Sequence, residues 1–525
     1  MYLDGNKIPN GTVINDDDIC IVGAGAAGIV MAAQFAKEKK KRVVVINSGA
    51  STGRGRPSPS DQSIYGGVPG PFMTKVDPSF LTRSRLRMYG GTTNHFGYWA
   101  RPLDESDLRP RPGYRDAFWP FGIDELNKYY PQANDTGEFG PFNYDDIDFW
   151  ARVLHGEPFT PLDDDPLQNA IFHAQYNRNV SDFQAQFGGD LEAAKMVTVI
   201  FNANVLKINT SGSRNHVNSL ECVSLEGGVP NRHFIVEVPQ YVLAQGGIEV
   251  VRLLKLAGDL GDNSKRQLGK GFMVHPVITD AAAITFSKPV SARVQNFFRE
   301  QEVTIPCQIT ANQPLLQLQG PFYEVEIPED FCTLRAWGIL EPKPKVMDDE
   351  KIGNFRLIFR FRTDTYTPVD INWEQVPNEN STITLDLNRT DPVFKQPVVR
   401  LDWNLLEADK RTIIRALDLC KKYMSARGRD ASRFEITTDL SGGPENWTFD
   451  PTGRDPRRLN PGDHHMGATR MSKDPADGIV DPNLRVHSVD NLYIASVSVF
   501  PTSGYANPTL TLVALAFRLA EHLSR

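Results

Sequence analysis

Three glycines, Gly23, Gly25 and Gly28, stand between an apolar run at residues 19–22 and a helical pattern. In that setting the spacing has a chemical meaning. Gly23 permits a tight turn, Gly25 lets a pyrophosphate approach the backbone, and Gly28 lets helix and strand pack closely, while the helix N-terminus receives the phosphate charge. The chemistry is dinucleotide binding. At the end of the second strand, where an acid usually takes the ribose hydroxyls, the residue is Asn47. An amide still exchanges hydrogen bonds with a ribose, and Arg54 and Arg56 nearby resemble an arrangement that tolerates an added phosphate. The turn alone leaves a nicotinamide and a flavin both open.

Three further motifs narrow the choice. Gly90-Gly91-Thr92-Thr93-Asn94-His95 opens a glycine-rich, aromatic segment, His464 and His465 stand side by side in HHMGATRM, and Asn507 precedes Pro508 and Thr509 in SVFPTSGYANPTLT. In this order they resemble the glucose-methanol-choline (GMC) oxidoreductases, a family of FAD enzymes, and come nearest in motif to its pyranose oxidase-like branch. The resemblance extends to NANVLKI around Val205 and to AQGGIEVVRLL, which contains Gly246. It covers about half the chain well and the middle loosely, through PNENSTITL and LDWNL.

The resemblance implies roles. A Gly-Gly-Thr loop passes over the flavin ring, and Gly90 and Gly91 suit it because only glycine lets backbone lie so close. Thr93, Asn94 and His95 continue that loop. In the pyranose oxidase branch a histidine at the place of His95 is covalently joined to the flavin, and in other branches it only contacts the ring. Val205 would meet the adenine through backbone, and Gly246, Ser496, Pro508 and Thr509 would complete the FAD contacts. Aligning HHMGATRM on Gly467 places the active-site base at His464 and turns His465 elsewhere, and Asn507 takes the second active-site position.

An alcohol does not easily surrender hydride until its hydroxyl proton is leaving, and a histidine titrating near neutrality can take that proton. A second hydrogen-bonding group must hold the oxygen so that the C–H bond points correctly. Asn507 can do so without taking a proton. The expected reaction converts a primary or secondary alcohol, in a sugar, polyol or glycoside, to a carbonyl, with hydride passing to flavin N5. Two alternatives remain open: a flavin-containing lyase of the same fold, and a nicotinamide-dependent reductase. Oxygen, a quinone or a redox protein each fit as final electron acceptor. Arg470, His275 and His487 read as structural, and Trp99, Trp119 and Trp447 as packing more readily than as a sugar platform.

These residues must be positioned by strands and helices. Residues 18–49 read as strand, turn, helix, strand, and the basic run 37–42 lies where cations suit the negative end of the helix dipole. Residues 51–71 form a long irregular connection. The stretches 196–208 and 234–244 read as strands, 247–256 and 508–523 as helices. Between residues 277 and 441, short alternating runs such as ITLDL and FRLIFRFR predict an antiparallel sheet. The expected fold is α/β, α+β overall: a Rossmann-like FAD-binding domain from residues 1–110, 190–280 and 455–525, with an inserted antiparallel-sheet substrate-binding domain from 111–189 and 281–454.

The 525 residues suffice for two substantial cores, and 40% hydrophobic against 23% charged residues excludes a disordered or fibrous chain. A net charge of −7 offers no field to attract nucleic acid. The five cysteines are scattered without metal-ligand spacing, so no metal is expected. A polar, acidic N-terminus and the lack of any long apolar stretch predict a cytoplasmic protein without a membrane span.

Overall fold

The runs Ile-Cys-Ile-Val and Val-Val-Val-Ile have no polar alternate positions, so the strands they form need apolar cover on both faces. In the computed structural model they are the adjacent parallel strands Ile19–Val22 and Val43–Ile46, with every residue buried. The model describes the chain except for residues 50–63, 96–98, 115–116, 161, 163, 176–182, 263–265, 307–330, 427–428, 430 and 445–458.

These two strands lie inside an all-parallel sheet ordered Tyr2–Asp4, Val197–Phe201, Val43–Ile46, Ile19–Val22, Gln240–Leu243 and Leu492–Ile494. Segments from the start, centre and end of the chain therefore meet in one sheet. Parallel neighbours need long crossovers, which is what lets remote segments join. Helix Ala26–Glu38 connects the two central strands and packs against the last helix, Thr509–Ser524.

The expected strand at 196–208 is two strands, Val197–Phe201 and Ala203–Thr210, in different sheets. Asn202 breaks it with a φ of 55°, a left-handed conformation that asparagine tolerates. The stretch 234–244 is likewise divided into the end of Val229–Val236 and Gln240–Leu243, with Pro239 between them unable to donate to a ladder. Both stretches read as continuous in the sequence because apolar alternation does not register a change of sheet.

The middle of the chain builds a large, antiparallel sheet. Its path runs Ala431–Ile436, Val277–Phe286, Tyr366–Trp373, Phe355–Phe359, Phe331–Pro342, Leu167–Gln175 and Trp99–Ala100. The ITLDL run is not in it. Thr382–Thr390 pairs with Pro397–Asp402, which pairs in parallel with Gly67–Pro69, and this small sheet packs on helix Gly247–Leu256. Alternation predicted the strand correctly and said nothing of its partner.

Cys20, Cys222 and Cys420 are buried thiols, and Cys307 lies outside the described residues. Among the described residues no helix is long and apolar enough to cross a membrane.

Candidate active site

Beyond the carboxyl end of Ile19–Val22 the backbone turns through the glycines. Gly23 has a φ of 103°, and a Cβ there would stand 2.8 Å from the Ala244 carbonyl oxygen. A Cβ on Gly28 would stand 1.9 Å from the Gly23 carbonyl oxygen, so this position admits no side chain. Gly25 differs. It caps helix Ala26–Glu38, and a Cβ there would meet no protein atom within 4 Å. Gly246, with a φ of 84°, is open in the same way at the start of helix Gly247–Leu256. Both line one cavity, together with Ala26 and Ala27 of the first helical turn. Bare backbone on two sides and unpaired helical N–H groups make a cradle suited to a pyrophosphate.

Asn47 lines the same cavity and is 3% exposed. Its Nδ2 donates to the Gly49 carbonyl at 3.0 Å, which leaves Oδ1 to accept from a hydroxyl. An adjoining cavity, lined by Val205, Asn204, Ser48, Tyr65 and Arg87, extends the site toward Ala203–Thr210. Arg85 pairs with Glu249 at 2.5 Å and lies over the Tyr65 ring, and Arg87 donates to Asn204 Oδ1. Neither arginine stood out in the sequence. Arg54 and Arg56, invoked there for a phosphate, lie outside the described residues.

The Gly-Gly-Thr loop is laid directly on the glycine turn. Gly90 N–H donates to the Ala24 carbonyl at 2.9 Å, and a Cβ on Gly91 would stand 3.2 Å from Gly25 Cα. Gly91 and Thr92 line the cavity. Thr93 and Asn94 brace the loop instead: Thr93 Oγ1 donates to the Gly90 carbonyl at 2.7 Å, and Asn94 Nδ2 to the carbonyls of Tyr89 and Gly91. His95 ends the short helix Gly91–His95; its side chain and all of Phe96 lie outside the described residues.

At the cavity's other end stand His464 and Asn507, brought together by the tertiary fold. His464 Nδ1 lies 2.8 Å from Nδ1 of His275, with the rings 83° apart. Burial first, then His275 and Arg356, hold the His464 pKa well below its ordinary value. Burial and Arg356 push His275 down to about 3, against the Ser503 and Gly504 backbone, which favours its protonated form. The near-neutral imidazole expected from the sequence is thus replaced by two rings that stay neutral at pH 7.

Arg356, on strand Phe355–Phe359, is the decisive residue that sequence reading missed. It is 4% exposed, with its guanidinium 4.4 Å from the centre of the Phe172 ring and 5.2 Å from that of Trp99. Its Nη1 donates to Asn507 Oδ1 at 3.2 Å. Burial lowers its pKa to about 10, and no carboxylate pairs with it among the described residues. An arginine can only donate, so Asn507 presents its oxygen to Arg356 and keeps its NH2 for another partner. Arginines at alternating strand positions ordinarily face water, as the exposed Arg362 in the same run does, so no local signal marked Arg356 as buried. His275 was likewise read as structural.

The remaining candidates fall around this arrangement. His465 also borders the cavity, but its Nε2 is bound to Ser84 Oγ at 2.9 Å and its ring meets Phe80 edge-on. Ser496 lines the cavity with its Oγ accepting from Ser498 N–H, and Pro508 and Thr509 bring there the positive end of helix Thr509–Ser524. Trp99 lines the cavity, while Trp119 is buried with Nε1 on Thr502 Oγ1 at 3.0 Å. Arg470 Nε donates to the Asp477 carbonyl, and His487 Nε2 lies 3.1 Å from the Ser472 carbonyl oxygen. Trp447 lies outside the described residues. No cluster of acids, histidines or cysteines suited to a metal occurs among the described residues.

Known proteins resemble this chain in sequence and in fold. Residues 377–516 match the family model described as GMC oxidoreductase. The chain is 22% identical to the fructose dehydrogenase large subunit of Gluconobacter japonicus over 96% of its own length and 97% of that protein's. Over 13% of each chain it is 37% identical to pyranose 2-oxidase of Tricholoma matsutake. Its fold matches that of pyridoxine 4-oxidase from Mesorbium loti with a TM-score of 0.56 and 18% identity, over 96% of this chain and 98% of that one. Residues 377–516 thus carry a GMC oxidoreductase C-terminal domain, and the chain as a whole resembles GMC oxidoreductases in sequence and fold, enzymes that act on CH–OH groups.

Proposed function

We propose that this protein is an FAD-dependent enzyme that oxidises a hydroxyl of a sugar, polyol or glycoside to a carbonyl. One observation carries the reading: His464 and Asn507 border the end of a single cavity whose other walls are the glycine cradle and Asn47. FAD, when bound, supplies a two-electron acceptor for the substrate's hydride. Gly25, Gly246 and the first turn of helix Ala26–Glu38 would hold its pyrophosphate, Asn47 Oδ1 a ribose hydroxyl, Val205 and its neighbours the adenine, and Gly91 with Thr92 would cover the ring. The segments 1–110, 190–280 and 455–525 would form that domain, and 111–189 with 281–454 the substrate side.

His464 is neutral at pH 7, so it is already in the form that takes a proton. Asn507, with its oxygen held by Arg356, donates its NH2 to the substrate oxygen and steadies the charge that develops there. Neither residue consumes the other's hydrogen-bonding capacity. The relatives named for fructose and pyranose oxidation favour a carbohydrate hydroxyl.

A spectrophotometric screen of sugars, polyols, glycosides and aromatic alcohols under anaerobic conditions tests this. Bleaching of the flavin band by a carbohydrate is the expected result, and it excludes both a lyase and a nicotinamide-dependent reductase. A colourless protein that binds NADPH would overturn the reading. Repeating the turnover with air and with an artificial quinone separates oxidase from dehydrogenase.

A further inference from the structure

A base acts only through a bare nitrogen, and which nitrogen of His464 is bare depends on what the other one does. Its Nδ1 is 2.8 Å from His275 Nδ1, with His275 buried, His464 half-buried on the cavity and both rings neutral. Two neutral imidazoles at that distance share one hydrogen, which gives two arrangements. If His275 donates, the proton of His464 sits on Nε2, and the nitrogen left for the cavity cannot accept another. If His464 donates, its Nε2 is bare and His275 carries its own proton on Nε2.

The proposed role of His464 breaks the tie, because a base on the cavity needs a bare Nε2 and must then carry its proton on Nδ1, toward His275. The His275 Nε2 is buried and makes no hydrogen bond among the described residues, while the nearby Ser503 and Gly504 backbone favours the protonated ring. The ring itself is tethered through its backbone, since Asn372 Nδ2 donates to the carbonyls of His275 and Pro276. Gly462 closes on the same carbonyl so tightly that a Cβ would stand 2.6 Å from it.

We infer that His275 is a positioning residue: by accepting the Nδ1 proton of His464, it keeps the Nε2 of His464 bare and available to the cavity. The inference rests on the proposed role of His464 as base. When the substrate's O–H bond breaks, the proton goes to Nε2, an N–H bond forms there, and Nδ1–H continues to donate to His275. FAD, when bound, would accept the hydride from the carbon bearing that oxygen, so the alcohol would lose two hydrogens and two electrons in all. His275 itself gains and loses nothing.

The test compares His275→Asn with His275→Leu in the FAD-loaded enzyme. The Asn side chain can accept from His464 Nδ1–H, whereas Leu leaves that proton without a partner. In His275→Leu the flavin reduction rate at saturating substrate should fall by about tenfold or more, with substrate affinity unchanged, and His275→Asn should recover most of it. A packing role would instead lower FAD content or thermal stability in both variants alike. Leu retaining the full rate, or Asn and Leu falling together, would overturn the inference. If neither variant holds FAD, ¹⁵N-histidine NMR of the unaltered protein decides: His464 should show a protonated Nδ1 and a bare Nε2, and the reverse pattern would sink the idea. Loss of rate in His464→Ala with an indifferent His275 removes this inference alone, while an active His464→Ala removes the underlying assignment.

Discussion

Replacing Arg356 by Met removes a buried cation without stranding a carboxylate, because none pairs with it among the described residues. Stability gains the relief of a burial cost and loses the contacts with Phe172 and Trp99, so it should change little. Activity should not be spared. The bond from Arg356 to Asn507 Oδ1 has a charged donor, and such bonds contribute about 1.5–3 kcal/mol. If that energy holds the amide with its NH2 toward the substrate, its loss lowers flavin reduction by roughly tenfold to 150-fold. Arg356 also holds down the pKa of His464, so its removal raises that pKa toward the ordinary value. If His464 is the base, its neutral ring is the active form, and the loss of rate on the acid side should then begin at higher pH. Anaerobic stopped-flow reduction with a saturating substrate, from about pH 5 to 8, reads both effects. Arg356→Lys should restore the acid limb, since charge is kept, but not the full rate, since the reach to Asn507 is lost. An unchanged rate and an unchanged acid limb in Arg356→Met would refute this account of the site.

His464→Ala should slow flavin reduction by on the order of a hundredfold to ten-thousandfold while FAD stays bound. His465→Ala should instead lower thermal stability, since it empties a buried contact with Ser84 and Phe80; a larger kinetic effect at His465 would show the two assignments reversed. Gly25→Ala should fold normally and bind FAD poorly, because its Cβ enters only the cradle, whereas Gly28→Ala should fail to fold; thermal melts with and without FAD distinguish them. Acid precipitation should release FAD into the supernatant, with His95→Ala weakening its binding, and yellow colour that stays with the pellet in the unaltered protein alone would show a covalent bond at His95.

The glycine turn and its flanking strands were legible in the residues because every requirement there is local. Gly23 needs a positive φ, Gly28 must clear the Gly23 carbonyl, and Ile19–Val22 needs cover on both faces, all within a short stretch of chain. His464 and Asn507 could be picked out only through the resemblance of their surrounding motifs, since neither residue type is informative alone. Arg356 and His275 were beyond reach. A strand arginine and a histidine before proline carry the same local pattern whether they face water or a buried partner. What made them part of the candidate site was the docking of Phe355–Phe359 against the loop holding Asn507, and of the segment before Val277–Phe286 against the loop holding His464. That docking also sets the protonation state of the histidines, because a pKa depends on burial and on charges brought near through space, and neither quantity exists until the chain has folded.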